Sequence, residues 1–207
     1  MLEMAQVDFD VEHHIYRLRT NGVRIRSVTD ALSVVTNFDH VPPDVLETAR
    51  RFGSQVHKTV HYFLMSDLDE RSLHPLLKAR LDQFKQFLVD SKFEVLHTER
   101  IVIDPAHRYC GTLDLTGLMP RRKSKVSALI DLKSGAVPKT VGLQTAGYQY
   151  ACEERPRKRF ALQLKEDSYR LIALEDERDY SWFISCLNVY KLSLKDNPYS
   201  EMVDAAR

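Results

Sequence analysis

Gly111-Thr112-Leu113-Asp114, followed seventeen residues after its aspartate by Asp131-Leu132-Lys133, is the stretch on which the fold turns. Asp131 and Lys133 close the apolar run that begins at Leu129-Ile130, and that run reads as a strand. Side chains on a strand alternate between faces, so Asp131 and Lys133 project from the same face, one repeat apart. With Leu129, Ile130 and Leu132 as neighbours the strand is expected to be mostly buried, and a buried unpaired acid or ammonium is costly. A divalent cation held between Asp131 and Asp114 of the preceding strand would compensate the acids and leave Lys133 facing a negatively charged substrate. The plainer alternative is a structural salt bridge, or a strand end where both charges meet water.

Working outward, alternating residues from Val7 to Leu18 and from Val23 to Val28 flank Asn21-Gly22, a strong hairpin signal. Thr29-Asp30 is placed to cap a short helix through Val35, and Phe38 to Pro43 reads as a loop. Helical spacing of Val45, Ala49, Phe52, Val56, Val60 and Phe63 predicts a helix over 44–65, which carries His57. A second helix over 73–89 is expected to gather Leu76, Leu77, Leu81, Phe84, Phe87 and Leu88 on one side. Strands are predicted at 93–103, 109–118 and 126–132, a helix that starts between Pro138 and Gly142 and runs to Cys152, and a strand pair at 160–164 and 169–173. A last helix over 176–194 is expected to bury Trp182, Phe183, Leu187 and Tyr190. The order αα-βββ-α-ββ-α predicts a mixed α/β domain with a central mixed sheet flanked by helices.

These motifs stand in a series that resembles the PD-(D/E)xK nucleases, and within them the RecB-like branch of phage and CRISPR-associated exonucleases. Gly53-Ser54-Gln55-Val56-His57 is similar to the family's helical motif ending in histidine, and Glu99 to its isolated strand glutamate. Gly111 to Asp114 resembles the first aspartate motif, Asp131-Leu132-Lys133-Ser134-Gly135 the acid-x-lysine motif, and Gln144-Thr145-Ala146-Gly147-Tyr148 the Q-x-x-x-Y motif of the RecB-like branch. The matches keep the family's order from residue 53 to 148.

The resemblance implies a restriction-endonuclease-like core over 41–207, with 1–40 as a hairpin-and-helix elaboration of one nuclease domain spanning 1–207. It implies metal-dependent phosphodiester hydrolysis, with Mg2+ or Mn2+ held by His57, Asp114, Asp131 and the Leu132 backbone carbonyl. Lys133 would orient the attacking water or offset transition-state charge, Glu99 would bind a second metal or position the nucleophile, and Gln144 and Tyr148 would order the site or contact substrate. The expected activity is a DNA exonuclease acting on linear, end-bearing DNA in recombination, replication or repair, of a type often encoded by phages, with a recombination or replication protein as a partner. The alternatives are a structure-specific endonuclease of the same family and a module that binds DNA ends or a partner without cutting. A zinc hydrolase built on His57 and His61 is a further one, although His-x-x-x-His without a following Glu carries little information.

Composition is compatible with this reading. The chain has 207 residues, 43% of them hydrophobic, enough for one substantial core. No apolar run is long enough to span a bilayer, and Met1 to Gln6 lacks a signal peptide's features, so a cytoplasmic site is expected, that of the host if the gene is viral. Cys110, Cys152 and Cys186 contain no Cys-x-x-Cys pair and do not supply the four thiolates of an iron–sulfur cluster. A net charge of +1 leaves phosphate attraction to local patches, and three are visible. Arg121, Arg122, Lys123 and Lys125 join the two aspartate strands and are the favoured DNA contact; Arg17, Arg19, Arg24 and Arg26, and Arg155, Arg157, Lys158 and Arg159, are the others. The sequence leaves oligomeric state, strand polarity and strand preference open.

Overall fold

Alternating and helical apolar patterns condense into one eight-stranded sheet with helices on both faces. The computed structural model describes residues 7–10, 15–122 and 124–194. The strands are β1 (Val7–Asp10), β2 (Ile15–Leu18), β3 (Arg24–Ser27), β4 (Glu94–Asp104), β5 (Tyr109–Arg121), β6 (Ser124–Lys133), β7 (Lys158–Leu164) and β8 (Tyr169–Ala173). The helices are α1 (Val28–Leu32), α2 (Pro43–Leu64), α3 (Pro75–Ser91), α4 (Val141–Ala151) and α5 (Asp179–Ser193). Strand order is β1-β2-β3-β5-β6-β7-β8, with β4 paired to β5 off that path. The sheet is mixed: β3 runs parallel to β5 and β6 to β7, while the other pairs are antiparallel.

Two large cores follow from the two faces, and a smaller one of Val7, Tyr16, Ile25 and Cys110 joins the N-terminal strands to β5. Leu81, Phe84 and Phe87 of α3 and Val56 and Val60 of α2 pack on Leu115, Ala128, Ile130 and Leu132. On the other side Val28 of α1, Tyr148 of α4 and Phe183 and Leu187 of α5 pack with Tyr109, Leu113 and Leu129.

Local chemistry explains where the sequence reading moves. The Asn21-Gly22 turn forms, with Gly22 at φ +67 and its amide bonded to the Leu18 carbonyl. The first arm, however, is itself two antiparallel strands, pairing Val7 with Leu18 and Asp10 with Ile15. Helix α1 is capped by Ser27 rather than Thr29: the Ser27 hydroxyl accepts from the Asp30 amide and the Asp30 carboxylate accepts from the Ser27 amide, a complete capping box. Trp182 is exposed because Phe183, Cys186 and Leu187 define the inner face of α5 and Trp182 lies a hundred-degree step from Phe183, while Tyr190 is half-buried. Val45 and Ala49, in the first two turns of α2, and Leu76, at the start of α3, are exposed as well, so the packed stripe of α2 begins only at Phe52.

The sheet feature that matters for function lies in β5. One edge of this 13-residue strand is paired with β4 from Tyr109 to Leu118. On the opposite edge β3 meets only Tyr109 and Cys110, and β6 takes over at Leu115. Residues 111–114, the motif that opened the sequence reading, fall between them without a strand partner on that edge among the described residues. Beyond Ile130, β6 leaves β5 and follows β7, pairing Asp131 with Ala161 and Lys133 with Gln163.

Candidate metal centre and active site

The gap in the sheet is filled by side chains. Leu113 and Leu115 belong to opposite cores although residues two apart on a strand normally share a face, so the alternation breaks at Asp114. Asp114 turns into the space left by the departing β6, where its Oδ2 accepts from the Leu132 amide at 2.6 Å. The N–H and C=O of one extended residue point to the same strand edge, so the Leu132 carbonyl faces this gap too. Across β5, Glu99 stands between the paired residues Thr98 and Arg100 with φ +51, a left-handed conformation in the middle of a strand. Such strain persists where surrounding structure over-determines it.

Helix α2 supplies the third side of the site. His57 Nδ1 lies 3.0 Å from Asp114 Oδ1, and ligand atoms of His57, Glu99 and Asp114 all fall within 4.8 Å of one another. Ligands of a small six-coordinate cation at about 2.1 Å sit roughly 3–4 Å apart, so this set needs only a slight closing to hold one. His61, one turn on, contacts Thr98 Oγ1 at 3.3 Å and is outside the cluster.

Asp131 and Lys133 share a face, as expected, and meet each other: Lys133 Nζ is 2.7 Å from Asp131 Oδ2. The approach is an ion pair without hydrogen-bond alignment, and Asp131 Oδ2 is a buried carboxylate oxygen with no hydrogen bond. Lys133 also donates to Gln144 Oε1 at 3.2 Å, and Gln144 Nε2 donates to the Tyr148 hydroxyl at 3.2 Å, which puts the Q-x-x-x-Y pair of α4 behind the lysine.

Gly111 is explained by that tyrosine. A Cβ at residue 111 would lie 2.5 Å from Tyr148 Cε1, so only glycine lets the ring rest against β5. Gly111→Ala is expected to destabilise the protein by about 1–3 kcal/mol in urea unfolding, as overpacking does, and to lower activity by displacing Tyr148 from Gln144.

The electrostatics couple the groups. Burial opposes the His57 imidazolium, but the Asp114 carboxylate outweighs it and lifts the group to about 9. Burial also opposes the Asp114 charge, yet the His57 cation and hydrogen bond, with Lys133 and the Leu132 amide, hold that carboxyl below its usual range. Glu99 is pushed up to about 7 by burial and then by the Asp114 charge, with His57 pulling against them. Asp131 is raised by burial despite Lys133. The Lys133 ammonium is disfavoured by burial but held high by Asp131 and Asp114.

Glu99 and His57 have the same consequence for stability. Native Glu99 keeps its proton from its ordinary 4.5 up to about 7, and native His57 from 6.5 up to about 9. Each contribution is therefore fully present below the ordinary value and lost as pH rises through the shifted one. Metal-free protein is expected to lose on the order of 2–3 kcal/mol between pH 5 and 9, discounting for partial exposure. Urea midpoints across that range provide the check, and a rising profile would contradict the coupling.

The favoured basic patch falls elsewhere. Arg121 and Arg122 sit at the β5–β6 turn, seven or more residues from Asp114, roughly 23 Å along the strand. Lys123 lies outside the described residues, and Lys125 pairs with Glu94. Arg19 pairs with Asp8, Arg24 with Asp30 and Lys158 with Glu175. Arg159 is not a surface cation at all: it is buried, donates to the Gly142 carbonyl at 2.7 Å and pairs with Asp179 at 3.0 Å. Sequence reasoning also missed Tyr16, a buried β2 residue whose hydroxyl meets Thr112 Oγ1 in the gap at 2.9 Å. The Thr112 position was visible inside the motif; a contact 96 residues away was not.

No helix of the described residues is long and apolar enough to cross a membrane. No protein-family model and no curated protein matches the sequence. Among solved structures, the chain is similar to the alkaline exonuclease LHK-Exo from Laribacter hongkongensis, at 11% identity over 81% of this chain and 86% of that one, TM-score 0.44. The structure of LHK-Exo in complex with dAMP gives 12% identity, 82% and 87% coverage and a TM-score of 0.43. The protein SSO0001 gives 15% identity over 57% of this chain and 59% of that chain, TM-score 0.36, so this chain spans less than two thirds of it.

Proposed function

We propose that this protein is a metal-dependent nuclease that hydrolyses phosphodiester bonds of DNA, working from an end. The observation that carries the reading is the break in β5, which gathers His57, Glu99 and Asp114 around one point and sets Asp131 and Lys133 beside it. The donors suit a hard cation such as Mg2+ or Mn2+: two carboxylates and one imidazole, with the Leu132 carbonyl on the same edge. Asp131, whose buried Oδ2 is paired with Lys133 at 2.7 Å without an aligned hydrogen bond, is the further carboxylate we assign to the metal. When bound, the ion would polarise the phosphate and lower the pKa of a coordinated water.

The chain's own residues supply the rest. Lys133 offers an ammonium to a phosphate oxygen as charge builds there, and Gln144 keeps it aimed by accepting one of its protons. Tyr148 fixes the Gln144 amide from behind. His57, protonated up to about 9 in the metal-free site, would have to release that proton to hold an ion, so affinity for the ion should rise with pH. We assign the pathway to recombination, replication or repair, with a phage as the expected type of source, on the sequence resemblance.

The test is a time course with end-labelled linear duplex, single-stranded and covalently closed circular DNA, with Mg2+, Mn2+ or EDTA. Degradation of the linear forms, abolished by EDTA and nearly absent on circles, is expected. Rapid cutting of closed circles would make the protein an endonuclease, and metal-independent or absent cleavage would overturn the reading.

A further inference from the structure

The outer face of α2 carries cations that make no ion pair among the described residues. Arg50, Arg51 and Lys58 are exposed and line, with Ser54 and Gln55, a shallow cleft of about 290 Å³ on that helix. None of the three makes an ion pair among the described residues, although Glu47 shares the cleft. Of the patches prominent in the sequence, Arg19, Arg24, Lys125, Lys158 and Arg159 are each matched to a carboxylate, while Arg17, Arg26, Arg121, Arg122, Arg155 and Arg157 make no ion pair among the described residues.

Helical geometry connects this face to the site. Arg50 precedes His57 by seven residues, two turns, and therefore lies on nearly the same face about 10 Å along the axis. Ser54 is between them, and Lys58 is one residue past His57. The segment is also the one whose inner stripe is left uncovered, since Val45 and Ala49 are exposed. The start of α2 thus stands out from the core and leads toward His57, and past the acids of its first turns, Asp44 and Glu47, come Arg50, Arg51 and Lys58. Arg50 is held over the Phe38 ring at 5.8 Å, which fixes the guanidinium without cancelling its charge.

We infer that the Arg50, Arg51 and Lys58 face of α2 is the track for the phosphate backbone of a nucleic-acid strand entering or leaving the site. The inference rests on the nuclease reading for the identity of its partner. Contacts of this kind are to phosphates, so they are indifferent to sequence and sensitive to salt.

The experiment is fluorescence anisotropy of a labelled single-stranded 20-nucleotide DNA in EDTA, at several salt concentrations, with wild-type protein and three variants. The Arg50→Ala/Arg51→Ala/Lys58→Ala variant is expected to bind at least tenfold more weakly at low salt. Its slope of log affinity against log salt should fall by about 2, three phosphates at roughly 0.7 each for a single strand. A variant with Arg50→Lys and Arg51→Lys retains the slope, which separates charge from structural damage; a loss equal to the alanine variant's would overturn the inference. So would unchanged binding in the alanine variant, or a larger loss in Arg121→Ala/Arg122→Ala. Wild-type protein that binds DNA in this way but never cleaves it would leave the track standing and sink the nuclease reading instead.

Discussion

Asp114→Asn is expected to reduce DNA hydrolysis by on the order of 10³-fold or more while leaving the fold intact. The side chain keeps its shape, and an amide oxygen still accepts from the Leu132 amide, so the backbone of the gap is preserved. What disappears is the charge at the centre of the cluster. His57 loses the carboxylate that holds it near 9 and falls toward its ordinary value, and Glu99 loses the neighbour that helps to raise it to about 7. The variant therefore separates two effects. Calorimetry should show Mg2+ or Mn2+ binding weakened, and the decline of metal-free stability between pH 5 and 9 should flatten. Wild-type turnover in Asp114→Asn would remove Asp114 from the site. Lost turnover with an unchanged pH profile of stability would show that the coupling to His57 and Glu99 is not what Asp114 contributes.

Why Asp114 stands at that centre could be read only in part from the chain. The Gly-x-x-Asp and Asp-x-Lys motifs and the Q-x-x-x-Y pair are local, and helix or strand periodicity places each on its element. Their convergence depends on where β3 stops and β6 begins along one edge of β5, which is set by packing across the whole sheet. Nothing in residues 111–114 announces a break in alternation, and an isolated Glu99 gives no hint of a positive φ. Charge runs are only partly legible for a related reason. A run of basic residues does not reveal carboxylates supplied by distant elements, as Asp179 does for Arg159 and Glu94 for Lys125. Arg50, Arg51 and Lys58 are not a run, and become one surface only through the helix.

The Asp131–Lys133 pair unites the plain and the chemical readings of the opening motif. It is a buried salt bridge, 2.7 Å long, yet neither member is content within the pair: Asp131 lacks an aligned hydrogen bond and Lys133 reaches on to Gln144. Breaking a buried pair by removing one partner usually costs about 3–5 kcal/mol, unless the survivor can discharge itself. Asp131 can, because burial already raises its pKa. Lys133→Ala is therefore expected to protonate Asp131, to cost less stability at pH 5 than at pH 8, and to abolish cleavage at both. Asp131→Ala leaves Lys133 with Gln144 and should abolish cleavage by weakening ion binding. Lys133→Ala, with His57, Glu99 and Asp114 untouched, should still bind the ion. Removing both should cost less stability than the sum of the single variants, since each single change leaves a charge without its partner. The measurements are urea unfolding at two pH values for the two single variants and the double, with calorimetric titration of Mn2+ into each. Detectable turnover by either single variant would contradict the division of labour between Asp131 and Lys133, and additive stability losses would show that the pair is not coupled.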